Sequence, residues 1–144
     1  MCDSNVWLAL VLSRHQHHRV AEKWLTTIDM PESVCFCRAT QQSFLRLVTT
    51  AAVMGRYGRP PLTNRQAWAL YEQILTDDRI VMRAEEPSRL EARWKSIAVR
   101  DTASPKAWMD SYLAGFALAS GLGLVTTDRA FSAFPGLDLT LLAA

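Results

Sequence analysis

Met1-Cys2-Asp3-Ser4-Asn5-Val6-Trp7-Leu8-Ala9-Leu10 is the stretch on which the fold turns. A carboxylate stands where a strand should be ending, and the apolar run behind it continues at helical spacing. Asp3 therefore reads as an acid at the end of a strand of which almost nothing precedes it, leaving room for a few residues upstream of Met1. Ligands of open parallel sheets bind at such strand ends. Trp108-Met109-Asp110-Ser111-Tyr112-Leu113 and Leu124-Val125-Thr126-Thr127-Asp128-Arg129 set single carboxylates in comparable places. A three-acid metal site is the hypothesis these stretches raise together.

Outward from that stretch, helical and strand patterns alternate. Asn5 to Leu12 and His17 to Ile28 have helical spacing, with Val20, Trp24 and Ile28 on one face. Ser33 to Cys37 is a short apolar run suited to a buried strand. Gln41 to Met54 returns to helix, with Phe44, Leu45, Val48 and Ala52 as its stripe. Thr63 with Gln66 predicts a capping box for the helix carrying Trp68, Tyr71 and Leu75, and Ser88 with Glu91 repeats the device. Arg79 to Arg83 between them reads as a strand. Ser104-Pro105 predicts an N-cap followed by proline at the first helical position, and Gly121 ends that helix. Leu122 to Thr127 and Leu137 to Leu142 are the last strands. Strands alternating with helices imply crossover units, hence an α/β three-layer domain with a central parallel sheet of four or five strands and helices on both faces.

The 144 residues, 49% hydrophobic with five Trp, suit one domain spanning residues 1–144 with a sizeable core. A formal charge of +2 does not announce a nucleic-acid binder, because a basic face can coexist with an acidic pocket near neutrality. Cys2, Cys35 and Cys37 are odd in number and poorly spaced for zinc or redox motifs, so they read as buried thiols of a reducing cytoplasm. No secretory signal is visible. The apolar stretch from Tyr112 to Val125 is broken by glycines and falls short of the roughly 20 residues a membrane helix needs. A soluble, cytoplasmic protein without membrane contact is expected.

Asp110 is followed by Leu113, Ala114, Ala117 and Leu118 at offsets that share its helix face. A charge on that apolar face is costly unless it is paired or coordinates a metal. Asp128 follows an apolar strand and two Thr hydroxyls, among the hard oxygen donors that Mg²⁺ and Mn²⁺ prefer. The competing reading gives Asp110 a buried hydrogen bond and makes Asp128 the N-cap of a short helix over Arg129 to Phe134.

Asp3-Ser4-Asn5-Val6-Trp7, Asp110-Ser111-Tyr112-Leu113-Ala114 and Leu124-Val125-Thr126-Thr127-Asp128-Arg129-Ala130-Phe131, in this order, resemble the PIN-domain nucleases, and closely resemble the VapC toxins of toxin-antitoxin pairs. Phe44-Leu45-Arg46-Leu47, Pro61-Leu62-Thr63-Asn64 and Phe134-Pro135-Gly136-Leu137-Asp138 extend the likeness over essentially the whole chain. The resemblance implies a Mg²⁺- or Mn²⁺-dependent endoribonuclease, homodimeric and silenced by a VapB-like antitoxin. It matches Asp3, Asp110 and Asp128 to three acidic positions of the family: Asp3 and Asp110 as metal ligands, Asp128 orienting water or a second ion, and Asn5 and Thr127 supporting by hydrogen bonds. The physical logic stands apart from the name, because a metal lowers the pKa of bound water and stabilises charge on phosphodiester oxygens. One departure matters. The family's early helical glutamate falls near Ser43, beside Gln42, and no Asp or Glu occurs between Glu32 and Glu72.

That acid-free segment holds Arg38, Arg46, Arg56, Arg59 and Arg65, and Arg38, Arg46, Arg56 and Arg59 with Arg129 are the expected RNA contacts, since cations gain affinity by releasing counterions. A solvated basic surface or an antitoxin-docking face is the competing reading. His15, His17 and His18 read as a solvated helix start, and the tryptophans as core or dimer contacts. A haloacid-dehalogenase-type phosphatase would need a second Asp where this chain has Asn5. A catalytically inactive PIN-like module that binds RNA or antitoxin remains the alternative that the missing glutamate supports.

Overall fold

Side-chain alternation along the strands builds the three layers, and the computed structural model shows it over residues 1–143, the residues the structure describes. β1 (Val34–Cys37) is buried at all four positions, and β2 (Ile80–Arg83) pairs with it in parallel, Val34 opposite Ile80. Val34, Phe36 and Ile80 point into one half of the core, while Cys35 and Cys37 point into the other. This is the period-2 geometry of a strand covered on both faces. β3 (Leu124–Thr126) and β4 (Leu139–Leu141) form a second parallel pair, with Leu124 and Val125 divided between the same two halves.

The two pairs are joined by the first three residues. Cys2 N–H donates to the Cys35 carbonyl at 3.1 Å, Asp3 N–H to the Val125 carbonyl at 2.9 Å, and Val125 N–H to the Met1 carbonyl at 2.9 Å. Cys2 forms a parallel bridge with Val125. The spatial order is therefore β2, β1, residues 1–3, β3, β4. Regular ladders are confined to two outer pairs rather than running through one continuous sheet of four or five strands. The central position is three residues wide.

One face is covered by α1 (Ser4–Val11), α2 (His18–Thr26), α3 (Arg38–Val48) and α5 (Asn64–Ile74), with α4 (Ala51–Gly55) beside them. Trp7 stacks on Phe36 with ring centroids 3.7 Å apart, and Phe44 and Tyr71 meet Phe36 edge-on. Burying a side chain such as Phe36 or Phe44 stabilises by about 1.5–3 kcal/mol. The other face carries α6 (Leu90–Ala98), α7 (Ala107–Ser120) and a 3₁₀ turn over Arg129–Ala133, packed through Leu90, Leu113, Phe116 and Phe131. The three cysteines are free and buried. No helix among the described residues is long and apolar enough to cross a membrane.

Several element ends differ from their sequence-based expectations. The helix expected over Gln41 to Met54 starts at Arg38 and breaks at Thr49 and Thr50. Their hydroxyls donate back to the Leu45 carbonyl at 2.9 Å and the Arg46 carbonyl at 2.6 Å, and Thr50 is extended. Such side-chain bonds compete with the helix's own ladder. Thr63 makes its capping box with Gln66. Ser88 and Glu91 do not, because Arg89 takes a left-handed backbone at φ 69° and becomes the N-cap position. Ser104-Pro105 lies in a turn ahead of α7, where the Ser104 carbonyl accepts from Ala107 N–H at 3.0 Å. Lys106, not Ser104, is consequently the N-cap residue of α7. Gly121 ends that helix at φ 64°, a conformation that glycine adopts at little cost.

Candidate metal centre

Parity in the central segment aims Asp3. Met1 belongs to the α7 half of the core and Cys2 to the other, so Asp3 returns to the α7 side, as Thr126 does two residues after Leu124. Thr126 Oγ1 donates to Asp3 Oδ2 at 2.9 Å and accepts from Asp128 N–H at 3.0 Å, linking two of the acids through one hydroxyl. Asn5 Nδ2 reaches the same Asp3 oxygen at 3.4 Å. The Asp3 backbone carbonyl accepts from Val6 N–H and caps α1, whose N-terminus favours negative charge. Only 7% of Asp3 is exposed. Burial pushes its carboxyl above the usual range, the Thr126 and Ser4 hydrogen bonds oppose this, and the charges of Asp110 and Asp128 add to it.

Asp110 lies in the first turn of α7, half-buried. Burial raises its carboxyl too, Lys106 pulls the other way, Asp128 adds repulsion, and no hydrogen bond contributes. Asp128 differs. Its Oδ1 accepts from Ala130 N–H at 2.8 Å as the N-cap of the 3₁₀ turn, and its Oδ2 is 3.1 Å from Lys106 Nζ. The Ala130 hydrogen bond is the main reason that its carboxyl is held low. Asp128 thus serves the capping role and stands in the acid cluster at once.

The three carboxylates sense one another's charge, and two of them carry an unrelieved penalty for ionising. Among the described residues Lys106 on Asp128 is the one salt-bridged cation of this donor set, Asp3 and Asp110 have none, and their oxygens fit a hard ion such as Mg²⁺ or Mn²⁺. Among the described residues no three His, Cys, Asp or Glu side chains enclose an ion as they are placed. Asp3 and Asp110 are the residues able to hold it.

The other residues singled out in the sequence divide. The hydrogen bonds expected of Thr127 are made by Thr126, the last residue of β3, and Thr127 lies in the bend beyond the strand. Ser43 is half-buried on α3, and among the described residues no fourth carboxylate enters the charge surroundings of the three acids. The polar residues buried on α3 are Thr40 and Gln41, and Gln41 Oε1 accepts from Arg38 Nη1 at 2.6 Å. Arg38, Arg46, Arg56, Arg59 and Arg129 are all exposed. Arg38 begins α3 directly after β1, and Arg129 adjoins Asp128. Arg46 is eight residues further along α3, about 12 Å at the helical rise, and Arg56 and Arg59 lie beyond it. None of the five is among the charges that shift the three acids. His15 stacks on Tyr57, with ring centroids 5.2 Å apart, and His18 Nδ1 is 2.7 Å from the Ala9 carbonyl oxygen.

Two residues of the site escaped the sequence reading. Thr126 has no distinguishing signal, because in a strand buried on both faces adjacent positions look alike. Lys106 had one, its spacing of four residues from Asp110.

The family model for the PIN domain matches residues 1–137. Two curated relatives named Ribonuclease VapC41, from Mycobacterium tuberculosis strains CDC 1551 / Oshkosh and ATCC 25618 / H37Rv, are each 58% identical over 143 residues, covering 99% of this chain and 98% of theirs. A solved structure described as DNA-bound VapBC from Salmonella typhimurium superposes with a TM-score of 0.62 at 16% identity, covering 99% of this chain and 97% of that one. At that identity the likeness bears on the fold.

Proposed function

The chain belongs to the PIN domain family, and from that membership we propose that it is a VapC-type toxin, an endoribonuclease dependent on Mg²⁺ or Mn²⁺ and restrained by a VapB-like antitoxin. The whole-length identity to relatives named as ribonucleases supports the activity, and the VapBC neighbour supports a partner. The observation that supports the chemistry is the link from Asp3 to Asp128 through Thr126, with Asp110 close enough to feel the Asp128 charge and both Asp3 and Asp110 raised chiefly by burial. A divalent ion on Asp3 and Asp110 would supply Lewis acidity toward a phosphodiester oxygen and an activated water. Thr126 fixes the rotamer of Asp3 by its hydrogen bond and orders the Asp128 backbone. Asp128 would orient the attacking water in this reading. Arg38, Arg46, Arg56, Arg59 and Arg129 are the exposed cations that would receive the RNA backbone in this reading. The free thiols suit a reducing cytoplasm, and a homodimer completes the proposal.

A second reading, a catalytically inactive module that binds RNA or antitoxin, draws on the lack of an acid at Ser43. Cleavage of a mixed RNA substrate separates the two. The nuclease reading expects cleavage with Mg²⁺ or Mn²⁺, none in excess EDTA, and none by Asp110→Asn with the metal restored. Equal behaviour of wild type and Asp110→Asn sinks it.

A further inference from the structure

Lys106 stands at the acid cluster without a role in the proposed chemistry. It is the N-cap residue of α7, four residues ahead of Asp110, a spacing that puts both side chains on one helix face. Its Nζ is 3.1 Å from Asp128 Oδ2, yet the side chain is 75% exposed. Among the described residues it is the one Lys or Arg salt-bridged to any of the three acids. Asp128 has both oxygens engaged, Oδ1 by Ala130 N–H and Oδ2 by this ammonium. Oδ2 keeps a second lone pair for water, but while the ammonium rests there its positive charge opposes an ion approaching that oxygen. An exposed lysine–carboxylate pair is weak enough to be given up, and positive charge arriving on Asp3 and Asp110 would repel the ammonium. A released ammonium on a long flexible stem, at the rim of a site that binds RNA, meets phosphate as its matching anion.

We propose that Lys106 exchanges partners, resting on Asp128 in the metal-free site and contacting a phosphate of the RNA at the cleavage site once substrate is bound. This rests on the nuclease reading.

Lys106→Met and Lys106→Arg, at an exposed position, are compared with wild type in three measurements: steady-state RNA cleavage with Mg²⁺, anisotropy of a non-cleavable 2′-O-methyl oligonucleotide against salt, and Mn²⁺ affinity by electron paramagnetic resonance. Lys106→Met is expected to raise KM about tenfold with a smaller change in kcat. It should also lower the logarithmic salt slope by about one and bind Mn²⁺ at least as tightly. Lys106→Arg is expected to restore KM to within about threefold. A KM and salt slope equal to wild type, a loss confined to kcat, or weakened Mn²⁺ binding in Lys106→Met overturns the exchange. Failure of wild type itself to cleave removes the nuclease reading and the role of Lys106 with it, whereas cleavage by wild type matched by both variants overturns the exchange alone.

Discussion

Asp77 and Asp3 show two opposite uses of a carboxylate within one small fold. Asp77 closes a fork with Arg79, whose Nε and Nη2 donate at 2.8 and 2.6 Å, while Nη1 donates to the Leu25 carbonyl at 2.8 Å. That pair ties the end of α2 to the start of β2, and the arginine bond holds the Asp77 carboxyl below its usual range. Asp3 has no cation within salt-bridge distance among the described residues, its side-chain donors are the neutral Thr126 hydroxyl and Asn5 amide, and burial raises it. The first acid is satisfied by the fold. The second has no positive partner within salt-bridge distance among the described residues, the pattern by which buried carboxylates at functional sites differ from structural ion pairs.

The contrast breaks most visibly with neutral substitutions at both places. Asp3→Asn is expected to reduce RNA cleavage to background while raising the melting temperature of the metal-free protein at neutral pH. Asp77→Asn is expected to leave cleavage intact and lower the melting temperature by about 2–5 °C. The pH dependences have opposite signs. The Asp77 contribution is present above the unfolded carboxylate pKa, about 3.9, and disappears as pH falls through the lower folded value, so the Asp77→Asn deficit closes in acid. Asp3 is raised, so its ionisation costs stability above its folded value, and the gain from Asp3→Asn closes as pH falls below about 3.9. Thermal melts from pH 3 to pH 7 in EDTA read both. A melting temperature that drops in Asp3→Asn at pH 7 would make Asp3 a structural acid like Asp77.

A smaller effect sharpens the parity argument. Thr126→Val removes the hydroxyl that joins Asp3 to the Asp128 backbone, and is expected to weaken Mn²⁺ binding or cleavage by about 10- to 100-fold. Thr127→Val should change either by less than about threefold. Equal losses would show that the Thr126 hydrogen bonds do not decide which threonine serves the site. The smallest effect is expected at Arg56→Ala, remote from the acids: RNA binding a few-fold weaker, with the salt slope reduced by about one and kcat unchanged.

Legibility from sequence followed the local or distant origin of each feature. Thr63 with Gln66, and Gly121, announced their caps because capping is settled within four residues. Thr49 and Thr50 concealed a helix break because the hydroxyl bonds that compete with the ladder leave the apolar spacing of the segment intact. The Ser88–Glu91 pattern failed because Arg89 turned left-handed before the helix could start, and Ser104-Pro105 stopped short because its turn closed on Ala107. The order of the three acids in the chain was legible. Their company was not: Lys106 entered the site only when α7 began at Ala107.

By itself the sequence determined the alternation of helices and strands, the family likeness, and Asp3, Asp110 and Asp128 as the acids to watch, because periodicity, capping residues and short motifs are written in neighbouring positions. Tertiary structure alone decided that three residues suffice for the central strand and that Thr126 rather than Thr127 holds Asp3. It also decided that Asp128 divides its oxygens between a backbone N–H and Lys106. Each of these depends on which side of a sheet buried on both faces a residue points to, or on contact between segments more than twenty residues apart, and neither leaves a trace in local composition.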